Sequence, residues 1–432
     1  MSSTPRIPGE RSMLAAMTVN AVGSGMYLPF TLIFFHHVTG LSFAAVGAVL
    51  TVAGLVGLTT LPLAGTAVDR WGAHRVQLAL YAVRGAGFAL YPFAQSVPAF
   101  AVVALVTIIG DGAFPAVQQS FLGEIARGAD RDRLQAASRA LSNGGMGAGA
   151  LLASLVVGFG GDTGFTAAAW LNAASFVLSG LLMWRVRPVR PVRPVPAVRD
   201  AAAAARQKAG YRLVLRDRPF LGLTAANFLI ALGYTALPVL YPLYIATWLH
   251  GPESLTGAAF TVNTVLCAVG GVLVASFVRR RGARRNRSAA LGAVLFAAAF
   301  AGQIVLGTVR PQAGWAIGAG LAVIITVHTV GEMVHNPSAG ALAIAAAPDA
   351  LRGRYMAAYQ FSWQLVRALA PSLFTGLMAV DGRLPWLLLI GTTLGAALLL
   401  IRLEPHLSAE AVHPEPARRV AGSRKEGLVR AA

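Results

Sequence analysis

Two acidic residues, Asp111 and Glu332, lie well inside long apolar segments of this chain. A carboxyl group surrounded by hydrocarbon is costly, so each is a candidate for function by default. His328 and His335 flank Glu332 at spacings of four and three residues, which lets all three side chains share one helical face. A carboxyl group beside imidazoles can take up and release protons near neutral pH. This pattern therefore indicates proton exchange inside a membrane.

The same spacing, His-x-x-x-Glu-x-x-His, also resembles a set of metal ligands. Three ligands from one helix close a coordination sphere poorly, so we predict no metal site. The single cysteine, Cys267, excludes an intramolecular disulfide framework.

Arginines are the other charged residues inside apolar segments. Arg367 lies one turn before Pro371, too deep for its side chain to reach the membrane surface. It either pairs with Glu332, as a permanent tie between helices or as a tuning partner, or it binds an anionic group of a substrate. Arg84 and Arg139 lie nearer to the ends of their segments and are expected to reach the interface or to pair locally.

Composition requires that these residues be positioned by membrane-spanning helices. Hydrophobic residues make up 56% of the 432 residues and charged residues only 12%, which is too little charge for a soluble chain of this length. Apolar windows long enough to span a bilayer occur at 12–35, 42–64, 76–97, 99–122, 135–160, 163–184, 219–247, 255–278, 288–309, 313–346, 355–379 and 384–401.

The basic residues indicate the orientation of these helices. An even number of spans places both termini on one side, and of 36 basic residues only Arg310 and Arg383 fall in loops on the other side. The positive-inside rule then predicts cytoplasmic termini in the inner or plasma membrane. The net charge of +19 is accordingly a sign of topology and of contact with lipid, and no nucleic-acid partner is expected.

The longest connection, 185–218, divides the spans six and six. Proline recurs at every third residue from Pro188 to Pro194, which favours an extended spacer, and 200–215 is either a surface helix or part of an ordinary solvated linker. The predicted organisation is a cytoplasmic N-terminus, a six-helix bundle, a cytoplasmic linker, a second six-helix bundle and a cytoplasmic tail, with boundaries at 1–11, 12–184, 185–218, 219–402 and 403–432.

The two bundles carry matching residues in the same order, as internal repeats do. Asn20 and Tyr27 match Asn227 and Tyr234 at one offset, and Gly110-Asp111 matches Gly331-Glu332 at a slightly larger one. The run Arg131-x-Arg133-x-x-Ala136-Ala137 matches Arg352-x-Arg354-x-x-Ala357-Ala358.

The stretch from Gly65 to Arg75, Gly-x-x-x-Asp-Arg-x-Gly-x-x-Arg, resembles the signature of the major facilitator superfamily between its second and third helices. The resemblance implies an all-α fold of two pseudo-symmetric six-helix bundles around a central cavity that opens alternately to either side. It also implies a cytoplasmic gate made of this turn and the start of the eleventh helix. The gate candidates are Gly65, Asp69, Arg70, Gly72, Arg75, Arg352 and Arg354.

In this family the first and seventh helices line the cavity, so the resemblance implies that polar and aromatic residues there bind substrate. The substrate-binding candidates are Asn20, Tyr27, Asn227, Tyr234, Trp363 and Arg367. The proton-coupling candidates remain Asp111, Glu332, His328 and His335.

The expected function is secondary active transport. The chain is closest in style to drug and metabolite:proton antiporters, although 106–112 lacks their arginine and 145–153 lacks their proline. We expect proton-coupled export of a small organic molecule by a monomer, with the proton gradient as energy source and no cofactor. Proton-coupled or facilitated uptake is the alternative, and a membrane receptor that lost transport is a third. No nucleophile constellation or ATP-binding loop indicates an enzyme or a primary pump.

Overall fold

A computed structural model of the chain describes residues 9–27, 31–126, 128–186, 212–252, 254–280, 283–348 and 351–413. Over these residues the secondary structure is helical, with no β-strand, and the predicted all-α class is confirmed. Most of the predicted linker, the expected surface helix at 200–215 except for its last residues, and most of both terminal segments lie outside the described residues.

Over the described residues, twelve helical segments of membrane-spanning length follow one another, and we number them as spans 1 to 12 in chain order. They are Glu10–Tyr27 with Thr31–Thr39, Phe43–Trp71, Ala73–Leu90, Val97–Ile125, Gly128–Gly160, Asp162–Trp184, Arg218–Thr247, Ser254–Arg280, Arg285–Val309, Gly314–Ala346, Arg352–Val380 and Leu384–Arg402.

Length and apolarity alone identify only some of these helices as membrane spans. Among the described residues seven qualify singly, and an eighth is span 1, whose two helices are bent by 75°. Spans 2, 3, 8 and 11 do not qualify, although spans 2 and 8 contain the shorter apolar stretches Phe43–Thr59 and Leu255–Gly271. Spans 2, 8 and 11 meet the other half of the molecule, where polar side chains are shielded from lipid.

Polar caps fix where several spans begin. The side chains of Ser42, Ser96 and Asp217 each accept a hydrogen bond from the backbone N–H three residues later, at 3.0–3.4 Å. These bonds satisfy donors that a helix start leaves unpaired. Between spans 2 and 3 the chain turns at Gly72, whose φ of 82° suits glycine.

The packing of the spans repeats between the two halves. Span 1 packs on spans 5 and 6, span 2 on span 4, and span 3 on spans 4 and 6; spans 7, 8 and 9 make the equivalent contacts with spans 11 and 12, 10, and 10 and 12. The halves meet through span 2 against span 11 and through span 5 against span 8, which are equivalent pairs. The structure therefore has the predicted two-fold pseudo-symmetry.

Small residues let spans 1 and 5 approach closely, as the glycine spacing in span 5 predicts. A Cβ atom built on Gly149 would overlap the carbonyl oxygen of Val22, and one built on Gly25 would overlap the backbone of Met146. Any side chain larger than hydrogen at these two positions would force the helices apart.

Three local predictions are corrected by the structure. The stretch 65–75 is not a loop: span 2 continues to Trp71 and span 3 begins at Ala73, so only Gly72 separates them. Span 1 is not one continuous helix. Span 7 contains a π-helical turn at Ala236–Leu240, which includes Pro238, a residue without an N–H to continue the α-helical pattern.

Candidate functional site

The acid of the first half is held by an ion pair. Arg84 of span 3 pairs through its Nε with the Oδ1 atom of Asp111 in span 4. The hydroxyl of Tyr27 in span 1 donates to the Oδ2 atom of Asp111 at 2.9 Å. Both carboxylate oxygens are thus engaged, and the Asp111 side chain keeps 27% of its surface exposed while that of Arg84 keeps 5%. Three spans converge on this one carboxylate.

The guanidinium of Arg84 is fully surrounded. Its terminal nitrogens donate to the side-chain oxygen of Asn20 at 2.8 Å and to the hydroxyl of Ser24 at 3.3 Å. The rings of Phe114 and Phe176 lie 4.7 and 4.1 Å from its central carbon, an arrangement that stabilises a cation. Arg84 is therefore the centre of a network across spans 1, 3, 4 and 6.

A glycine beside each acid sets the spacing between the helices. A Cβ atom on Gly110 would lie 3.2 Å from Cγ of Arg84, so the arginine stem packs directly on this glycine. In the second half the matching Gly331 meets the side chains of Leu295 and Phe296 instead, at 3.1 and 3.3 Å. The second half thus places apolar groups where the first half places an arginine.

The acid of the second half has neutral partners. Asn263 of span 8 donates to Oε2 of Glu332 at 3.0 Å and to the hydroxyl of Thr329 at 3.0 Å. The thiol of Cys267 also lies within hydrogen-bonding reach of Glu332. Among the described residues no basic side chain pairs with Glu332. The two matching acids therefore differ in their electrostatic surroundings.

The two histidines of span 10 are buried and turn to other neighbours than Glu332. His328 packs against the rings of Phe296 and Tyr241, with centroids 4.4 and 6.0 Å away, and its Nδ1 atom is buried without a hydrogen-bond partner among the described residues. His335 shares a hydrogen bond of 3.1 Å with the hydroxyl of Tyr234. No hydrogen bond between described residues joins either histidine to Glu332.

The remaining substrate-binding candidates lie in two places. Asn20 and Tyr27 belong to the Asp111 network, whereas Asn227 is buried and donates to the hydroxyl of Ser362 at 2.7 Å, joining span 7 to span 11. Trp363 of span 11 is half-buried and packs edge-on against Tyr234, with 5.0 Å between ring centroids. Arg367, one turn further along, is exposed.

The halves touch towards one end of the bundle. We call the end near Glu10 and Arg402 the terminal end, and the other the opposite end. Ser372 of span 11 accepts at its hydroxyl no bond from span 2 but donates one to the carbonyl of Gly47 at 3.1 Å, and its N–H donates to Thr51 at 3.1 Å. A Cβ atom on Gly257 of span 8 would overlap Ser154 of span 5.

The same stripe of span 11 is exposed towards the terminal end. Ala368 lies 3.1 Å from a Cβ atom built on Gly54 of span 2, yet Ala357 and Phe361, further towards the terminal end, are exposed. The described part of the chain is therefore packed together at the opposite end and separated at span 11 towards the terminal end.

The gate candidates lie at the terminal end. Gly65 lies within span 2, Gly72 forms the break, and Arg70 and Arg75 are exposed. The side chains of Asp69 and Arg352 are outside the described part, as is that of Arg139, while Arg354 is half-buried. The first N–H of span 3, at Ala73, donates to Glu124 of span 4 at 3.1 Å, so Glu124 caps this helix.

A second ionic cluster lies at the terminal end, outside the membrane-spanning segments. Glu404 accepts two hydrogen bonds from Arg287 at 2.9 and 3.0 Å and one from Asn286 at 2.8 Å, and Arg284 pairs with the same carboxylate. The bonds from Arg287, then those from Asn286 and Arg284, lower the pKa of Glu404 from 4.5 to about 2. This cluster ties the start of span 9 to the end of span 12.

Sequence reasoning missed the roles of Arg84 and Asn263. Arg84 was expected near the interface, but it lies beside Asp111 at 4% exposure. Asn263 matched no motif. The available signal for both is that a polar residue within an apolar window requires a partner on a neighbouring helix.

Two equivalent six-helix halves around buried acids define a membrane transporter of the alternating-access class. The model of the family described as Major Facilitator Superfamily matches residues 13–371 and, in a second match, 223–426. The chain therefore belongs to the major facilitator superfamily.

Relatives and solved structures agree with this assignment. An MFS-type transporter of Mycobacterium tuberculosis strain H37Rv is 30% identical over 301 residues, which are 68% of this chain and 67% of that protein. A D-xylose-proton symporter is similar in fold, with a TM-score of 0.70, 16% identity and coverage of 93% of this chain and 98% of that one. The nucleoside transporter NupG, as a mutant, gives 0.67, 15%, 91% and 99%.

Proposed function

We propose that this transporter couples the movement of a small organic molecule to protons, and that Glu332 is the main proton-exchanging group. The observation that carries the proposal is the neutral environment of Glu332: it accepts from Asn263 at 3.0 Å and has no cationic partner among the described residues. A carboxyl group held this way can exist in both protonation states at moderate cost. Asp111, in contrast, is paired with Arg84.

Protonation would act on the two states of the carrier. The halves now meet at the opposite end through spans 2 and 11 and spans 5 and 8. Rocking about the cavity would separate these seams and close the terminal end. Proton binding shifts that equilibrium only through a different proton affinity in the two states, and Glu332 next to span 8 sits beside a helix of one seam.

For the direction we propose export of a drug or secondary metabolite in exchange for protons, on the basis of the chain's resemblance to antiporters. The terminal end would be cytoplasmic, in the cell membrane. Uptake together with a proton is a second candidate, and Arg367 favours it. An anion on Arg367 would share the cavity with Glu332, and two negative charges repel, so the anion would bind best when Glu332 carries a proton.

The test is transport by purified protein in liposomes of known orientation, with a pH-sensitive dye inside. A panel of dyes, antibiotics and organic acids is added under an imposed pH gradient. We expect proton movement that depends on one of these compounds and that is lost in Glu332→Gln. The matched control is Glu410→Gln, because Glu410 is exposed and contributes only its backbone oxygen to a printed-range contact of 2.9 Å with Arg285.

The direction of proton movement relative to the compound separates exchange from joint uptake. Compound movement with no accompanying protons, or proton movement that persists unchanged in Glu332→Gln, would contradict the proposal.

A further inference from the structure

Arg367 lies near the middle of a membrane-spanning helix and yet is exposed. It follows Arg352 by 15 residues and precedes Val380 by 13, which places it about 20 Å from either end of span 11 at about 1.5 Å per residue. A guanidinium at that depth cannot reach the membrane surface. Its exposed surface must therefore face either lipid or a cavity.

The faces of span 11 show which of the two it is. Ser362 lies on the face that packs on span 7, and Ala368 and Ser372 lie on the face that packs on span 2. Arg367 falls between these faces, on the side that also carries Gln360 and Trp363. A helix turns about 100° per residue, so the opposite side of span 11 carries the apolar residues Leu365 and Leu369.

An arginine and a glutamine are costly against hydrocarbon, whereas leucines are not. The polar side of span 11 therefore faces the cavity between the halves, and the leucine side faces away from it. Arg367 is thus a cavity residue.

The charge of Arg367 is not balanced inside the protein. Asp111 is paired with Arg84, and Glu332 accepts from Asn263. Among the described residues Arg367 makes neither an ion pair nor a hydrogen bond. A lone cation in a cavity with low-dielectric walls attracts anions and raises their local concentration.

We infer that the transported molecule carries an anionic group, such as a carboxylate or a phosphate ester, that binds Arg367. A guanidinium offers two parallel N–H donors that match such a group. Trp363, one turn away, provides an aromatic surface for the rest of the molecule. The inference rests on the proposed transport function and narrows its substrate to organic anions.

Binding of three probes of nearly equal shape tests the charge preference: benzoate, benzamide and benzamidinium. Phenyl phosphate is added as a second anion. Each is titrated into purified protein at one pH, without a proton gradient, and affinity is measured from the rise in melting temperature. A charge-assisted pair is expected to favour an anion over benzamide by about tenfold or more.

Three variants locate the preference. It should disappear in Arg367→Gln, persist in weaker form in Arg367→Lys, which keeps the charge but not the fork of donors, and remain in Arg402→Gln. Arg402 is an exposed arginine at the end of span 12 and serves as the matched control. Equal binding of all probes, absence of any anion-specific stabilisation, preference for benzamidinium, or an anion preference that survives in Arg367→Gln would overturn the inference.

Stability without ligand gives a second readout. If Arg367 is unpaired, Arg367→Gln should melt at the same temperature as the wild type or higher. A clearly lower melting temperature would show that the guanidinium holds a structural partner, and would also overturn the inference. Anion preference without proton coupling would instead contradict only the proposed function, so the two failures are distinguishable.

Discussion

Breaking the ion pair between Arg84 and Asp111 should destabilise the first half of the transporter. The change is Arg84→Gln, which removes the charge and shortens the side chain. Arg84 now donates to Asp111, Asn20 and Ser24. Its loss leaves the carboxylate of Asp111 with only the hydroxyl of Tyr27 as a partner.

The magnitude follows from burial. Removing one member of a buried ion pair costs about 3–5 kcal/mol in soluble proteins. The Asp111 side chain keeps 27% of its surface exposed, so water can hydrate part of the abandoned charge and the lower end applies. Arg84→Gln should therefore lower the free energy of unfolding by about 3 kcal/mol. Asp111→Asn should cost a similar amount, because it leaves the Arg84 charge buried.

The assay is a double-mutant cycle, with reversible unfolding in mixed micelles followed by tryptophan fluorescence. The double variant should be less destabilised than the two single variants added together, by about 1–2 kcal/mol, since neither charge is then left alone. Arg402→Gln serves as a control for loss of an exposed arginine. Additive effects, or an Arg84→Gln protein as stable as the wild type, would refute the ion pair as a stabilising contact.

Two further predictions concern other parts of the molecule. Because hydrogen bonds chiefly from Arg287 lower the pKa of Glu404 from 4.5 to about 2, the stability that this carboxylate contributes is fully present above its unfolded pKa and is lost as the pH falls from about 5 towards 2; Glu404→Gln should flatten that part of the stability profile measured by thermal unfolding. Gly257→Val should prevent spans 5 and 8 from closing, because its Cβ atom would overlap Ser154, and should raise the labelling of a cysteine reporter from the opposite end, whereas unchanged labelling would contradict the assigned seam.

Hydropathy and spacing predicted the number and order of the spans because those depend on local composition. They placed Asp111 and Glu332 within spans 4 and 10, where the structure has them. They did not predict the partner of Arg84, since the register of one helix against another depends on contacts such as that of Gly110 with the arginine stem. Distance along the helix suggested an interfacial arginine, but tertiary packing places it against Asp111.

The histidines show the same limit. Spacing correctly places His328 and His335 on the same helix as Glu332, but it does not say which neighbours each side chain meets. His328 lies among Phe296 and Phe300 of span 9, whereas Glu332 meets Asn263 of span 8. A helical face of this width contacts more than one neighbouring helix, and only the packing of the bundle decides the partners.

The central claim is that Glu332 binds or releases a proton when the transporter binds its substrate. The most direct measurement is the number of protons exchanged when compounds of the panel are added to purified protein in weakly buffered solution. The wild type and Glu410→Gln should exchange protons on binding, and Glu332→Gln should bind without exchange. Substrate binding by the wild type without any proton exchange, or equal exchange in Glu332→Gln, would contradict the claim.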